Sequence, residues 1–168
     1  MFGYLKSLFN FIKSKDPSIK NNFELLLMSG VKAIIYYRIS RFFYLREHYF
    51  ISRYFMEKGK RRTGIEIHPG AKIGKNLFID HGYGVVIGQT ADIGDNVIIY
   101  QGVTLGATGK ENGKRHPSIG SNVFIGSGAK ILGNITIGDN VKIGANAVVL
   151  KSINPNCTAV GVPAKVVK

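Results

Sequence analysis

Along the second half of the chain an aliphatic residue returns at every sixth position. The series opens with Ile67, Ile73 and Ile79, skips two residues, and resumes at Ile87, Ile93, Ile99 and Leu105. It then skips eight residues and continues through Ile119, Ile125, Ile131, Ile137, Ile143 and Val149. Glycine follows many of these directly, as in Ile73-Gly74, Ile93-Gly94 and Ile143-Gly144. Self-similarity at a fixed period marks a repeat architecture. A helix turns every ~3.6 residues and does not accommodate a period of six. A strand alternates with period two, so six residues make a short strand and a corner. Three such sides close one triangular coil, with strands stacked about 4.8 Å apart and the aliphatic residue inside. Corners need residues that tolerate positive φ, which Asp95-Asn96, Ser121-Asn122 and Asp139-Asn140 supply. Thirteen repeats make a little over four coils. A β-sandwich with glycine turns is the alternative, and it would give irregular spacing.

Before residue 64 the pattern changes and glycine becomes rare. Phe23, Leu26 and Leu27 form one set at helical intervals; Val31, Ile34, Ile35, Ile39 and Phe42 form another. Two or three amphipathic helices are expected there. Asp16-Pro17 reads as a helix start, because Asp caps and Pro favours the first turn. Gly30 reads as a break between helices, and Lys58 to Arg62 as a connector. The chain therefore divides into a helical region, 1–63, and a repeat domain, 64–168.

Composition changes this picture only slightly. A chain of 168 residues is one domain, or one with a small appendage. The net charge of +13 suits nucleic acid, an anionic membrane or an anionic ligand such as a phosphorylated cofactor. No nucleic-acid-binding motif accompanies it, so no nucleic-acid partner is expected. One cysteine, Cys157, excludes an intramolecular disulfide and fits a reducing, cytoplasmic setting. No run of about 18 uncharged apolar residues exists, and membrane contact is not expected. Met1 to Lys15 has apolar residues at helical spacing but no continuous apolar core or cleavage site, so it is not a signal peptide.

The two register skips carry the chemistry. Extra residues cannot enter a stacked core, so they loop outward, where function tends to sit. The first skip follows Asp80-His81; the second runs from Thr108 to His116. Each brings a histidine to an irregularity. His48, His68, His81 and His116 show no metal-ligand spacing, so no metal is expected.

Four blocks then become recognisable. They are Gly64-Ile65-Glu66-Ile67-His68-Pro69-Gly70-Ala71-Lys72-Ile73-Gly74; Ile79-Asp80-His81-Gly82; Gln101-Gly102-Val103-Thr104-Leu105-Gly106 continuing to Gly113-Lys114-Arg115-His116-Pro117; and Gly161-Val162-Pro163-Ala164-Lys165. Together they closely resemble the serine O-acetyltransferases, hexapeptide-repeat acyltransferases that commit serine to cysteine synthesis. The resemblance is dense over 64–168 and loose over 16–63. It implies a left-handed parallel β-helix with a small N-terminal α-helical region. It also implies a homotrimer with sites between subunits, often paired into a hexamer through the N-terminal helices. Acetyl-CoA would be the co-substrate, with no permanently bound cofactor.

The resemblance also assigns roles. His81 is the general base, since an imidazole titrates near working pH. Glu66 stands where the family has an acid that orients this base; fifteen residues separate the two, close to one coil. Asp80 binds the serine ammonium. Arg115 and His116 hold its carboxylate and polarise the reacting centre, a guanidinium fork matching a carboxylate. Asp16 reaches the acceptor site. Gly126, Ser127, Ala145 and Gly161 let pantetheine approach backbone, while Lys142 and Lys165 meet CoA phosphates. Plainer readings stand beside these: a corner histidine at 81, a solvated loop charge at 115, a helix cap at 16. Three residues depart from the family. Gln89 replaces a usual glutamate beside the acceptor site, Tyr83 a small residue, and Ala107 a glycine. The given sequence stops at Lys168 without the isoleucine-ended tail that grips cysteine synthase, so no such complex is expected. A sugar O-acetyltransferase of polysaccharide synthesis is the competing activity, and a non-enzymatic repeat scaffold the third.

Overall fold

A computed structural model describes the backbone of residues 2–109 and 112–167. Lys110 and Glu111 of the second skip, and Lys168, lie outside the described residues. From Glu66 onward the chain winds as two- and three-residue strands arranged in three parallel faces. On the first face Ile67, Ile87, Leu105, Ile131 and Val149 stack in register. On the second stand Ile73, Ile93, Ile119 and Ile137, extended by a bridge from Ile137 to Ile153. On the third stand Ile79, Ile99, Ile125, Ile143 and Ala159. These positions are buried almost throughout, so they form the core, and burying such aliphatic side chains contributes about 1.5–3 kcal/mol each. Residues two places earlier, including Ala71, Val97, Val123, Val141 and Ala147, are also buried and fill the corners.

The winding goes further than the period suggested. Ile153 follows Val149 after four residues, and Ala159 is smaller than the repeat's usual aliphatic, yet both complete a fifth level. The last strand, Lys165–Val166, then turns back antiparallel on Thr158–Val160.

The corner between the second and third faces carries asparagines with positive φ, among them Asn76, Asn96, Asn122, Asn140 and Asn156. Their side chains form a ladder: Asn76 Nδ2 donates to Asn96 Oδ1 at 2.9 Å, Asn96 to Asn122 at 3.2 Å, and Asn140 to Asn156 at 2.9 Å. The expected Asp-Asn and Ser-Asn corners are these.

The helical region covers the first coil with α1 (Phe2–Lys15), α2 (Asn22–Leu25), α3 (Ser29–Tyr44) and α4 (Tyr49–Thr63). Leu8 and Ile12 of α1 are buried, one turn apart. Asp16-Pro17 does not start a helix. It follows α1, and Asp16 Oδ1 accepts the Ser18 N–H at 2.9 Å in a turn. The next helix is capped instead by Asn21, whose Oδ1 accepts from Phe23 N and Glu24 N. Gly30 is not a break either. It lies in the first turn of α3, where a Cβ would overlap the Ile79 carbonyl; glycine lets the helix press onto the coil. Tyr37 Oη donates to Ala71 O at 2.7 Å, and Arg41 Nη1 to Pro69 O and Ala71 O at 2.9 and 2.8 Å. These bonds lock α3 to the corner between the first and second faces. Lys58 to Arg62 is helix rather than connector: α4 runs to Thr63 and stops at Gly64, left-handed at φ 70. Basic side chains there favour the C-terminal end of the helix dipole.

Candidate active site

Both edges of the first face carry an insertion, and each insertion holds a histidine. At the edge shared with the third face, the backbone ladder shows which residues are extra. Asp80 N bonds Ile99 O, Tyr100 N bonds Ile125 O and Gly126 N bonds Ile143 O, so Asp80, Tyr100 and Gly126 form one column. Gly102 N bonds Tyr83 O, Gly128 N bonds Gln101 O and Asn146 N bonds Ser127 O, so Tyr83, Gln101 and Ser127 form the next. The residues without counterparts are His81 and Gly82. His81 is exposed and left-handed at φ 56, a conformation that costs a non-glycine residue about 1–2 kcal/mol. Its N–H donates to Asp80 Oδ1 at 2.9 Å, and Gly82 N to Asp80 O at 2.6 Å. Gly82, buried against Ile65 and Ile79, anchors the bulge from behind.

Asp16 comes close to this bulge. Its carboxyl is held below the usual range, first by hydrogen bonds with Ser18, with the His81 charge contributing. Tyr100 faces Asp80; burial raises its phenol pKa, and the Asp80 carboxylate beside it raises it further. Asp16, Asp80, His81 and Tyr100 thus make one acidic, open cluster.

At the other edge the longer insertion returns as Lys114-Arg115-His116. His116 is only 8 % exposed. Its Nδ1 lies 2.9 Å from Thr90 Oγ1 and accepts the Thr90 N–H at 3.2 Å. Thr90 Oγ1 also accepts the Arg115 and His116 N–H groups at 3.0 and 3.1 Å. Arg115 Nη2 donates to Gln89 Oε1 at 2.8 Å, and Gln89 Nε2 to Tyr44 Oη at 3.4 Å. Lys114 Nζ donates to Thr90 O at 2.6 Å. Burial lowers the His116 pKa, and the charges of Arg115 and Lys114 lower it further. Next to it, burial and then Arg53 and His116 bring His68 down to about 4. His68, Gln89, Tyr44, Tyr49 and Arg53 line a cavity of about 420 Å³ under α3 and α4.

The remaining sequence-derived residues fall as follows. One coil in this register spans twenty residues, so Glu66 stacks on Val86. Its carboxylate meets Lys60 Nζ at 2.5 Å. Gly126 and Ser127 continue the two columns below the His81 bulge, and Ala145 stands one coil further on. Gly161 O accepts the Val148 N–H at 3.0 Å. Lys142 is exposed on the third face and Lys165 on the last strand. Sequence reasoning missed Thr90 and Tyr100. Asp92 pairs with Ser118, and that 26-residue offset also carries Thr90 to His116 and Gln89 to Arg115, so the repeat register held the signal.

A parallel prism of six-residue repeats with functional side chains on inserted corners defines a hexapeptide-repeat transferase. Residues 116–151 match the family described as bacterial transferase hexapeptide (six repeats). A serine acetyltransferase of Staphylococcus xylosus is 52% identical over 100% of this chain and 80% of its own length. The serine acetyltransferase of Neisseria gonorrhoeae, solved in complex with serine, superposes with a TM-score of 0.94 at 41% identity, covering 99% of this chain and 68% of that one. That of Brucella abortus, solved with coenzyme A, gives 0.95 at 40% identity, covering 98% and 66%. The chain belongs to the serine acetyltransferase family, and its repeat domain is that family's left-handed β-helix.

Proposed function

We propose that this chain transfers acetyl from acetyl-CoA to the hydroxyl of L-serine, with His81 as general base, as a cytoplasmic step toward cysteine. His81 takes the serine Oγ proton as Oγ attacks the thioester carbonyl carbon. The tetrahedral intermediate collapses, the C–S bond breaks, and the CoA thiolate recovers the proton from the imidazolium. O-acetylserine and CoA leave with no net proton change on the enzyme. Asp80 and Asp16 offer carboxylates to the serine ammonium, and Arg115 a fork to its carboxylate. The His116 ring adds a donor for the oxyanion.

The reading rests above all on the Asp80-His81-Gly82 bulge, which exposes His81 beside Asp80 and within charge reach of Asp16. Arg115 and His116 occupy the opposite edge of the same face, and a rigid prism cannot fold its own edges together. A homotrimer would set the His81 edge of one subunit against the Arg115 edge of the next. CoA would then lie along the Gly126, Ser127, Ala145 and Gly161 side, with Lys142 and Lys165 near its phosphates. Glu66, paired with Lys60 in this structure, would orient the base.

The test is thiol release from acetyl-CoA by purified protein, with L-serine, L-homoserine and sugars as acceptors. Serine-dependent release that disappears in His81→Ala is expected. Release with a sugar but not with serine would sink the assignment.

A further inference from the structure

We propose that Thr90 is a positioning residue for this reaction: its hydroxyl fixes the tautomer of His116, so that Nε2 carries the proton and serves as a hydrogen-bond donor. The inference rests on the role given to His116 above and adds the group that enforces it.

The argument is a count of hydrogens. A threonine hydroxyl has two acceptor lone pairs and one proton. Thr90 Oγ1 receives the N–H of Arg115 at 3.0 Å and the N–H of His116 at 3.1 Å. Backbone N–H groups only donate, so both lone pairs are used. The third neighbour, His116 Nδ1 at 2.9 Å, must therefore accept the hydroxyl proton. A second donor agrees, because the Thr90 N–H also points at Nδ1, at 3.2 Å. A proton on Nδ1 would face both donors at once. Turning the ring over would present a C–H to them and leave the buried N–H without an acceptor. Neutral His116 thus carries its proton on Nε2.

The other ring edge is arranged to match. A Cβ at Gly88 would overlap Cδ2 and Nε2 of His116, so glycine leaves the space this edge needs. Nε2 has no hydrogen-bond partner among the described residues, and it is not among their buried unpartnered atoms. The N–H is therefore presented outward. A neutral histidine whose Nδ1 accepts hydrogen bonds and whose Nε2 is protonated has no free lone pair to offer. It can only donate, to an oxyanion or a carboxylate. The chain thereby separates the histidines of its two insertions by role: His81 is open to act as base, and His116 is locked as donor. Thr90 also gathers the backbone of residues 115 and 116, so one side chain holds the chain that carries Arg115 and bonds the His116 imidazole directly.

The experiment is ¹⁵N spectroscopy of the imidazole nitrogens in the intact protein, with His116→Gln used to assign the signals. Wild type should show neutral His116 protonated at Nε2, with no averaging between tautomers. Thr90→Val keeps the shape and removes the hydroxyl. It should bring in the Nδ1-protonated form and lower kcat/KM for serine about ten- to a hundredfold. Thr90→Ser should restore both. A wild-type His116 protonated at Nδ1, or averaging between forms, overturns the proposal without any variant. So does a Thr90→Val protein that loses activity with its tautomer unchanged. A tautomer shift with full activity would uphold Thr90 as the tautomer-setting group and overturn the catalytic role of His116 instead.

Discussion

The two edges of the first face solve one problem in opposite ways. Each must project a histidine from a scaffold whose core admits no extra residue. At the His81 edge only two residues are added, and the backbone itself is bent into the left-handed region to aim the ring. At the His116 edge the insertion is long, neither Arg115 nor His116 takes a positive φ, and hydrogen bonds to Thr90 and Gln89 do the aiming. The short bulge leaves His81 exposed, open to an incoming hydroxyl. The long loop folds its imidazole in, where burial and the charges of Arg115 and Lys114 lower its pKa. A base must exchange protons and a donor must hold one, so the two solutions suit the two tasks.

The sharpest test of this division is His81→Ala, which should lower kcat about 10²- to 10⁴-fold and leave folding intact. Thermal melting beside steady-state kinetics separates the two. Next comes Gly88→Ala, at the foot of the His116 ring. The new methyl must displace the imidazole, and a misplacement of about 1 Å can cost about a hundredfold in kcat/KM. If Gly88→Ala were silent, the His116 edge would be structural and the comparison would collapse to one catalytic corner.

A smaller effect tests the electrostatics. Lys114→Met removes one charge that holds the His116 pKa down. His116 must stay neutral to keep its bonds from Thr90, so its donor geometry is lost as pH falls through its pKa. With that charge gone the pKa rises, and the loss begins at higher pH. An NMR titration of His116 reads the shift directly, with Arg115 and the neighbouring His68 unchanged.

Much of this was legible in the sequence, and what was not has physical reasons. The core stacks followed from the sixth-position aliphatics, because only a fixed coil length keeps Ile79 over Ile99 over Ile125. The skips followed from the same count, and they located both histidine edges. The helical region was harder. Asp16-Pro17, Gly30 and Lys58 to Arg62 each carry local signals that tertiary contacts override. Gly30 is chosen by the Ile79 carbonyl above it, not by a helix end. The sixth-position count ends at Val149, because Ile153 arrives early and Ala159 is small, yet the neighbouring level dictates both positions. Fifteen residues separate Glu66 from His81, and the inserted pair lengthens that coil to twenty, which sets Glu66 over Val86. Thr90 had no motif of its own. Its meaning comes wholly from the residue stacked on it one coil later.

Gln89→Glu should give the smallest effect, and it probes how the second edge holds its charge. Gln89 accepts from Arg115 with its oxygen and donates to Tyr44 with its nitrogen. A carboxylate there would accept from both, with the Tyr44 hydroxyl turning to donate. It would also place a negative charge on the guanidinium that is to meet the serine carboxylate. Part of the attraction for the substrate would then be spent within the enzyme. The exchange at a partly exposed pair amounts to about 1 kcal/mol or less, so KM for serine should rise about two- to fivefold with kcat nearly unchanged. A fall in kcat with KM constant would mean that residue 89 acts on the transition state. The glutamine would then belong with Thr90 among the groups that set geometry, rather than with those that tune charge.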